Sequence, residues 1–353
     1  MKELAAIVRA LLAPDAGPAV LATLVAAEGS SYRRAGARLL IPDAGPRLGS
    51  ISGGCLEEDV IARAERVRAT GRAETALYDT TAENDLVWGV GLGCHGIVRV
   101  LVERLPARPA WALALAENFA ARRATALAIV HAAADPARLG TRLAPDEPGT
   151  VRVRAGEGGG AGGVGADGRA PGENESVFFN TIPPPPALAI FGAGDDAQPL
   201  ARLADELGWH VTLADPRAAF ATAARFPTVA AIIVGPAAAL AARLAPDAAT
   251  AAVVMTHHYV HDVPLLRALL PRPLAYLGLL GPKKRAEKIL ADLAQDGLAI
   301  TPAMRARLHA PVGLDLGADA PEQVALAIVA EIQAALAARD ARPLRERTRP
   351  IHA

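Results

Sequence analysis

Short, largely apolar runs recur through the second half of the chain. ALAIF (187–191), HVTLAD (210–215), AAIIV (230–234), AAVVM (251–255) and LAYLGL (274–279) are each too short for a helix, and they lack the alternation of a strand with one wet face. Strands covered on both faces read this way, and most of the intervals between them carry helical periodicity. The pattern predicts an α/β unit over residues 187–340, built on a doubly wound parallel sheet.

The first half is less regular. VLATLVAAE (20–28), ARLLIP (37–42), IVRVLVERL (97–105) and ALAIVH (126–131) read as strands, with weaker strands up to Phe178 and Phe179. Leu56 to Thr70 and Trp111 to Ala121 read as helices, which makes residues 1–182 a mixed α/β domain whose strand order the pattern does not fix. The opening MKELAAIVRALLAPDAG carries Lys2, Glu3 and Arg9 within its apolar run and is expected to be an amphipathic helix, not a signal peptide. Four consecutive prolines, Pro183 to Pro186, form a stiff spacer between the halves. Just before them, the glycine-rich stretch near 155–172 is expected to be a surface loop.

Composition narrows the class. With 52% hydrophobic and 21% charged residues, the 353-residue chain has the make-up of a well-packed soluble protein. Its formal net charge of zero gives no global drive toward nucleic acid or an anionic membrane, and no apolar run is long enough to cross a bilayer. Two cysteines do not make a disulfide framework, so a reducing cytoplasm is expected.

Both cysteines sit in glycine-rich turns. Cys55 lies in GSISGGCLEED beside Gly49, Gly53 and Gly54, and Cys94 lies in GVGLGCHG beside Gly91, Gly93 and Gly96. Such a setting suits thiol chemistry at a backbone-lined site, with free amides to receive an anionic or soft ligand. The competing reading is that both are small turn residues without chemistry. Neither belongs to a C-x-x-C pair, so no structural metal is expected.

A G-x-G-x-x-A string formed by Gly192, Gly194 and Ala197 follows the first apolar strand of the second half and opens a helix, with Asp215 ending the next strand. That is the dinucleotide fingerprint of a Rossmann-like domain, which marks Gly192, Gly194 and Asp215 as candidate nucleotide-binding residues and NAD(P) as a candidate ligand. Asp195 and Asp196 oppose it: they place negative charge where the pyrophosphate would sit, and they suit capping of the helix instead. A second G-x-G-x-x-G, around Cys94, runs into a strand and so fails as a fingerprint. THHYVHD places His257, His258, His261 and Asp262 past the end of a strand, where ligands bind or where polar groups lead into a helix. Lys283, Lys284 and Arg285 open the last helix of the sheet, as an anion site or as a solvated face.

In order along the chain, GSSYRRAGARLL, GSISGGCLEEDV, YD, GLGCHG, FGAGDDAQPL, LADPR, MTHHYVHD, LGLLGPKKR and APVGLDLGADAPEQVALAIVAEI resemble the XdhC/CoxI family of xanthine dehydrogenase accessory proteins. The resemblance implies a chaperone, not an enzyme. It would bind molybdenum cofactor (molybdopterin) as cargo, protect it while a cysteine desulfurase supplies sulfur, and insert it into a xanthine dehydrogenase type apoenzyme, working as a homodimer. By resemblance, Cys55 and Cys94 fall on the family's two characteristic cysteines and Arg34 lies in its Gly-Ser-Ser segment; Gly53, Gly54, Gly93, His257, Lys283 and Lys284 are expected as further cofactor contacts from the glycine-rich turns and the basic strand-end loops. The chain departs from the family pattern at Asp195 and Asp196, at His95, at His258 and at Lys283 to Lys284. An NAD(P)-dependent oxidoreductase and a partner-bridging scaffold remain as alternatives.

Overall fold

The computed structural model describes residues 1–29, 31–79, 96–144, 154–155, 161–162, 164–165, 175–244 and 246–348. The chain divides into two compact units, Glu3–Pro184 and Pro185–Ala353, the latter joined by Met1–Lys2.

The amphipathic opening folds as α1 (Lys2–Leu12), which buries Ile7, Val8 and Leu11. Next come β1 (Ala19–Gly29), β2 (Arg38–Pro42), β3 (Leu48–Gly49), α2 (Glu57–Thr70), β4 (Glu74–Asp79) and β5 (Gly96–Leu105). These strands form a sheet in the order β3-β2-β1-β5-β4, every neighbouring pair antiparallel. Alternation along β1 divides its residues between two faces. Val20, Ala22 and Leu24 pack with Val60, Ala64 and Val67 of α2, while Leu21 joins the cluster that holds α1.

A second antiparallel sheet follows α3 (Ala110–Ala120). It is built from β6 (Thr125–Ala132), β7 (Arg142–Ala144), β10 (Val164–Gly165) and β11 (Ser176–Ile182), in the order β10-β7-β6-β11. The two-residue strands β8 (Arg154–Ala155) and β9 (Ala161–Gly162) pair with each other. The glycine-rich stretch is thus not wholly loop: its Val164 and Gly165 add to the edge of β7, because ladder pairing uses backbone groups that glycine also carries.

The second unit carries the parallel sheet expected from its apolar runs: β12 (Ala187–Phe191), β13 (His210–Asp215), β14 (Ala231–Val234), β15 (Thr250–Val254) and β16 (Tyr276–Leu279). A two-residue strand, β17 (Leu308–His309), completes the order β14-β13-β12-β15-β16-β17, all parallel. On one face lie α4 (Ala197–Glu206) and α9 (Pro321–Leu336), through Leu200, Ala204, Ile328 and Ile332. On the other lie α5 (Ala237–Leu244), α6 (Tyr259–Leu269) and α7 (Lys283–Gln295), through Leu240, Leu266 and Ile289; the short α8 (Pro302–Arg307) leads into β17. The strand order reverses between β12 and β15, so the crevice where such sheets take ligands opens outside the ends of these two strands.

Candidate functional site

The turn before α2 is organised by one carboxylate. Glu57 Oε1 accepts from Ser50 Oγ at 2.9 Å and from the amides of Ile51 and Ser52 at 3.2 and 3.0 Å; Oε2 accepts from the amides of Gly54 and Leu56 at 2.9 and 3.2 Å and from Ser52 Oγ. Partial burial works against the charge, but the hydrogen bonds from Ser52, Ser50 and Ile51 outweigh it and hold the carboxyl at about 2. The amides that the sequence offers to an external anion are therefore occupied by the chain's own side chain. What remains outside is the thiol: Cys55 is exposed.

Glycine is required beside it. Gly53 and Gly54 have φ of +86° and +123°, and a Cβ on Gly53 would stand 2.8 Å from a ring carbon of Tyr32. Tyr32 rests against this turn with 67% of its surface exposed, and neither composition nor spacing singles it out. Arg34 is also exposed, and its carbonyl accepts from the Ala37 amide at 3.2 Å. Arg33 is committed to Glu3 through two bonds of 3.1 and 2.5 Å. The other thiol, Cys94, lies outside the described residues together with Gly91, Gly93 and His95.

The fingerprint turn of the second unit is filled in a different way. Gly192 has φ of +127°, and a Cβ there would stand 2.5 Å from the Met255 carbonyl oxygen, so glycine is obligatory for the close pass between β12 and β15. Asp215 is fully buried. Its Oδ2 accepts from the Ala193 amide at 2.6 Å and from Arg217 Nη2 at 2.9 Å, while Oδ1 accepts from the Arg217 amide and Nε at 2.7 and 3.0 Å. Burial opposes the charge, but the bonds from Arg217 and Ala193 prevail and lower its pKa. An acid with all these acceptors taken and no exposed surface has nothing left for a ribose hydroxyl.

Asp195 and Asp196 do not cap α4. Asp196 stands at the N-cap with its own backbone helical and makes no capping bond through its side chain. Instead its carboxylate folds back over Gly194, where a Cβ would meet Oδ1 at 2.5 Å, and Oδ2 meets His257 Nε2 at 2.6 Å. That pair spans the switch-point crevice. The hydrogen bond from Asp196 raises the His257 pKa against the opposing effect of burial. Asp195 is held by Arg225 Nη2 at 2.6 Å, while Arg225 Nη1 donates to the carbonyls of Ala193 and Phe220 at 2.8 and 2.7 Å. Asp195 is thus paired with Arg225 and Asp196 with His257, and the Asp196 carboxylate lies over the turn where a phosphate would sit.

Next to this crevice, Arg285 binds the buried Asp262 and donates to the His257 carbonyl at 3.2 Å. Lys283 and Lys284 stand exposed in the first turn of α7, and neither has an ion-pair partner among the described residues. His257 and Arg285 link residues 256–262 to the fingerprint turn and to the α7 opening. Arg225 and the turn of Asp196 toward His257 are additions that no local pattern signals. Among the described residues, no group of three or more His, Cys, Asp and Glu side chains is placed to hold a metal ion. No helix among them is long and apolar enough to cross a membrane.

Known proteins resemble this chain along both of its halves. Residues 188–332 match the XdhC Rossmann domain, and residues 12–79 match the XdhC and CoxI family. The chain is 32% identical to a probable xanthine dehydrogenase subunit of Bacillus subtilis, over 91% of this chain and 94% of that protein. It is 25% identical to the molybdenum cofactor insertion chaperone PaoD of Escherichia coli, over 89% of this chain and 82% of that one. A crystal structure of a xanthine dehydrogenase from Bacillus halodurans superposes with a TM-score of 0.74 at 28% identity, covering 98% of this chain and 99% of that chain. With both halves matched in order and a relative aligned along nearly its full length, the chain belongs to the XdhC and CoxI family.

Proposed function

We propose that this protein is a molybdenum cofactor chaperone for the maturation of a xanthine dehydrogenase type enzyme. It holds the metal-bound pterin as cargo, keeps it intact while a cysteine desulfurase supplies the terminal sulfur, and passes it to the apoenzyme. Family membership supports this reading, as do the names of the Bacillus subtilis and Escherichia coli relatives. The observation that carries it is Cys55, an exposed thiol on a turn whose polar groups are already satisfied by Glu57. Molybdenum and sulfane sulfur are soft, and a thiolate is a matching donor. Within the second unit, Lys283 and Lys284 are exposed cations in the first turn of α7, a setting that suits an anion. We read the protein as a cytoplasmic homodimer whose partners are the apoenzyme and the desulfurase, with no role for nucleic acid or membrane.

The oxidoreductase alternative loses support at Asp215, whose oxygens are engaged by Ala193 and Arg217. No observation favours the scaffold alternative. The test is reconstitution: the purified protein is incubated with molybdenum cofactor, separated from free cofactor, and mixed with a cofactor-free xanthine dehydrogenase type apoenzyme. The reading expects activity to appear faster than with free cofactor in equal amount. Equal rates, with no pterin retained on the chain, would contradict it.

A further inference from the structure

Among the exposed large apolar side chains of the first unit, Tyr32 is the most open, with 67% of its surface accessible against 55% for Leu77 and 39% for Leu113. A single exposed ring needs no explanation by itself. This one is held in place. Ser31 Oγ donates to the Arg33 carbonyl at 2.8 Å, and Arg33 is tied in turn to Glu3, so the residues on both sides of Tyr32 are fixed. The ring is seated on Gly53: a Cβ there would stand 2.8, 3.1 and 3.2 Å from three of its carbons, so only glycine lets it lie where it does.

The seat is fixed as well. Gly53 belongs to the turn whose amides and hydroxyls Glu57 collects, and the exposed Cys55 follows two residues later, within about 7 Å along the chain. Between them, Gly54 has φ of +123°, and a Cβ on it would meet nothing within 4 Å, so the space over this part of the turn is open. A pinned aromatic ring, open space and a soft donor therefore adjoin. An aromatic ring pairs best with a second flat ring, offset over its face. Because Tyr32 is already held, and a tyrosine has only two side-chain angles to fix, little freedom is lost when such a ring arrives.

We propose that Tyr32 is the stacking residue of the cargo site: the pterin ring of the cofactor lies on it while the metal end meets the Cys55 thiol. This rests on the chaperone reading and adds to it the residue that recognises the organic part of the cargo. The test uses the full chain and two probes, molybdenum cofactor released from a molybdoenzyme and the metal-free 6-hydroxymethylpterin. Equilibrium dialysis, with pterin read by its fluorescence after oxidation, gives each affinity. The parent should bind both probes. Tyr32→Ala should weaken both by about fivefold or more, the loss expected when a ring is removed from a stack. Tyr32→Phe should keep both, and Cys55→Ser should weaken only the cofactor. Melting temperatures should match the parent throughout, since both side chains are exposed. If Tyr32→Ala binds both probes like the parent while Cys55→Ser loses the cofactor, the stacking role is overturned and the chaperone reading stands. A loss in Tyr32→Phe equal to that in Tyr32→Ala would also overturn it, because the ring would then not be what is recognised. A parent that binds neither probe would sink the chaperone reading itself.

Discussion

The Cys55 turn and the Gly192 turn are both glycine-rich, both precede a helix, and both are filled by a carboxylate of the chain itself, yet they leave different chemistry outside. At the first, Glu57 gathers the turn's amides from within a half-exposed loop and a thiol is left facing solvent. At the second, Asp215 is sealed beneath the turn and Asp196 covers it, so the position that a pyrophosphate would take is occupied. A glycine-rich turn by itself therefore does not report a ligand. What reports one is the group left unsatisfied after the chain has met its own hydrogen-bonding needs.

The contrast in burial sets the order of effects. Asp215→Ala should cost about 3 kcal/mol, because the Ala193 amide loses its charged acceptor at a buried position while Arg217, 31% exposed, can turn to water. Urea denaturation measures this, and a loss no larger than that of Glu57→Ala would break the comparison. Glu57→Ala should cost less, about 2 kcal/mol, since water can reach the freed donors of the turn. Because the Glu57 carboxyl is held at about 2, below its usual value of 4.5, the stabilisation is complete above that usual value and drains away as pH falls toward 2. Glu57→Gln should remove this acid dependence, and an unchanged slope would show that other carboxylates carry it.

A smaller effect belongs to the Asp196–His257 pair. The His257 pKa is raised, so its contribution is full below about pH 6.5 and lost as pH rises through the raised value. With the histidine side chain 52% exposed, solvent screening keeps the effect within about 0.5 kcal/mol. Comparing the parent with Asp196→Asn in urea at pH 6 and pH 9 should show a gap that closes at the higher pH; a gap that widens would contradict the pairing.

The parallel sheet was legible because β12 and all of β15 after Thr250 are continuous apolar runs that few other structures accommodate. β17, two residues long, offers no such run. β4 (ETALYD) escapes the pattern because Ala76 and Tyr78 are the residues it buries, and the order of the antiparallel sheet depends on pairings distant in sequence. At the sites, the glycines at 53, 54, 192 and 194 were readable from the turns they make. The partners that fill those turns were not: Asp195 meets Arg225 thirty positions away, and Asp196 meets His257 sixty-one away. Glu57 reads in sequence as a helix-dipole residue, whereas in the fold it reaches back to the loop before it.

Under the proposed function, Cys55 is exposed for cargo and not for stability. The measurement is molybdenum and released pterin per chain, after expression in a cofactor-competent host, for the parent and Cys55→Ser, each with its stability. A hydroxyl keeps the shape of the turn but stays protonated and hard, so it loses the soft donor. The parent should carry both molybdenum and pterin, and Cys55→Ser should lose most of each while its stability stays within about 0.5 kcal/mol of the parent. A parent that carries no pterin, or a variant that retains cofactor like the parent while unfolding much more readily, would contradict it.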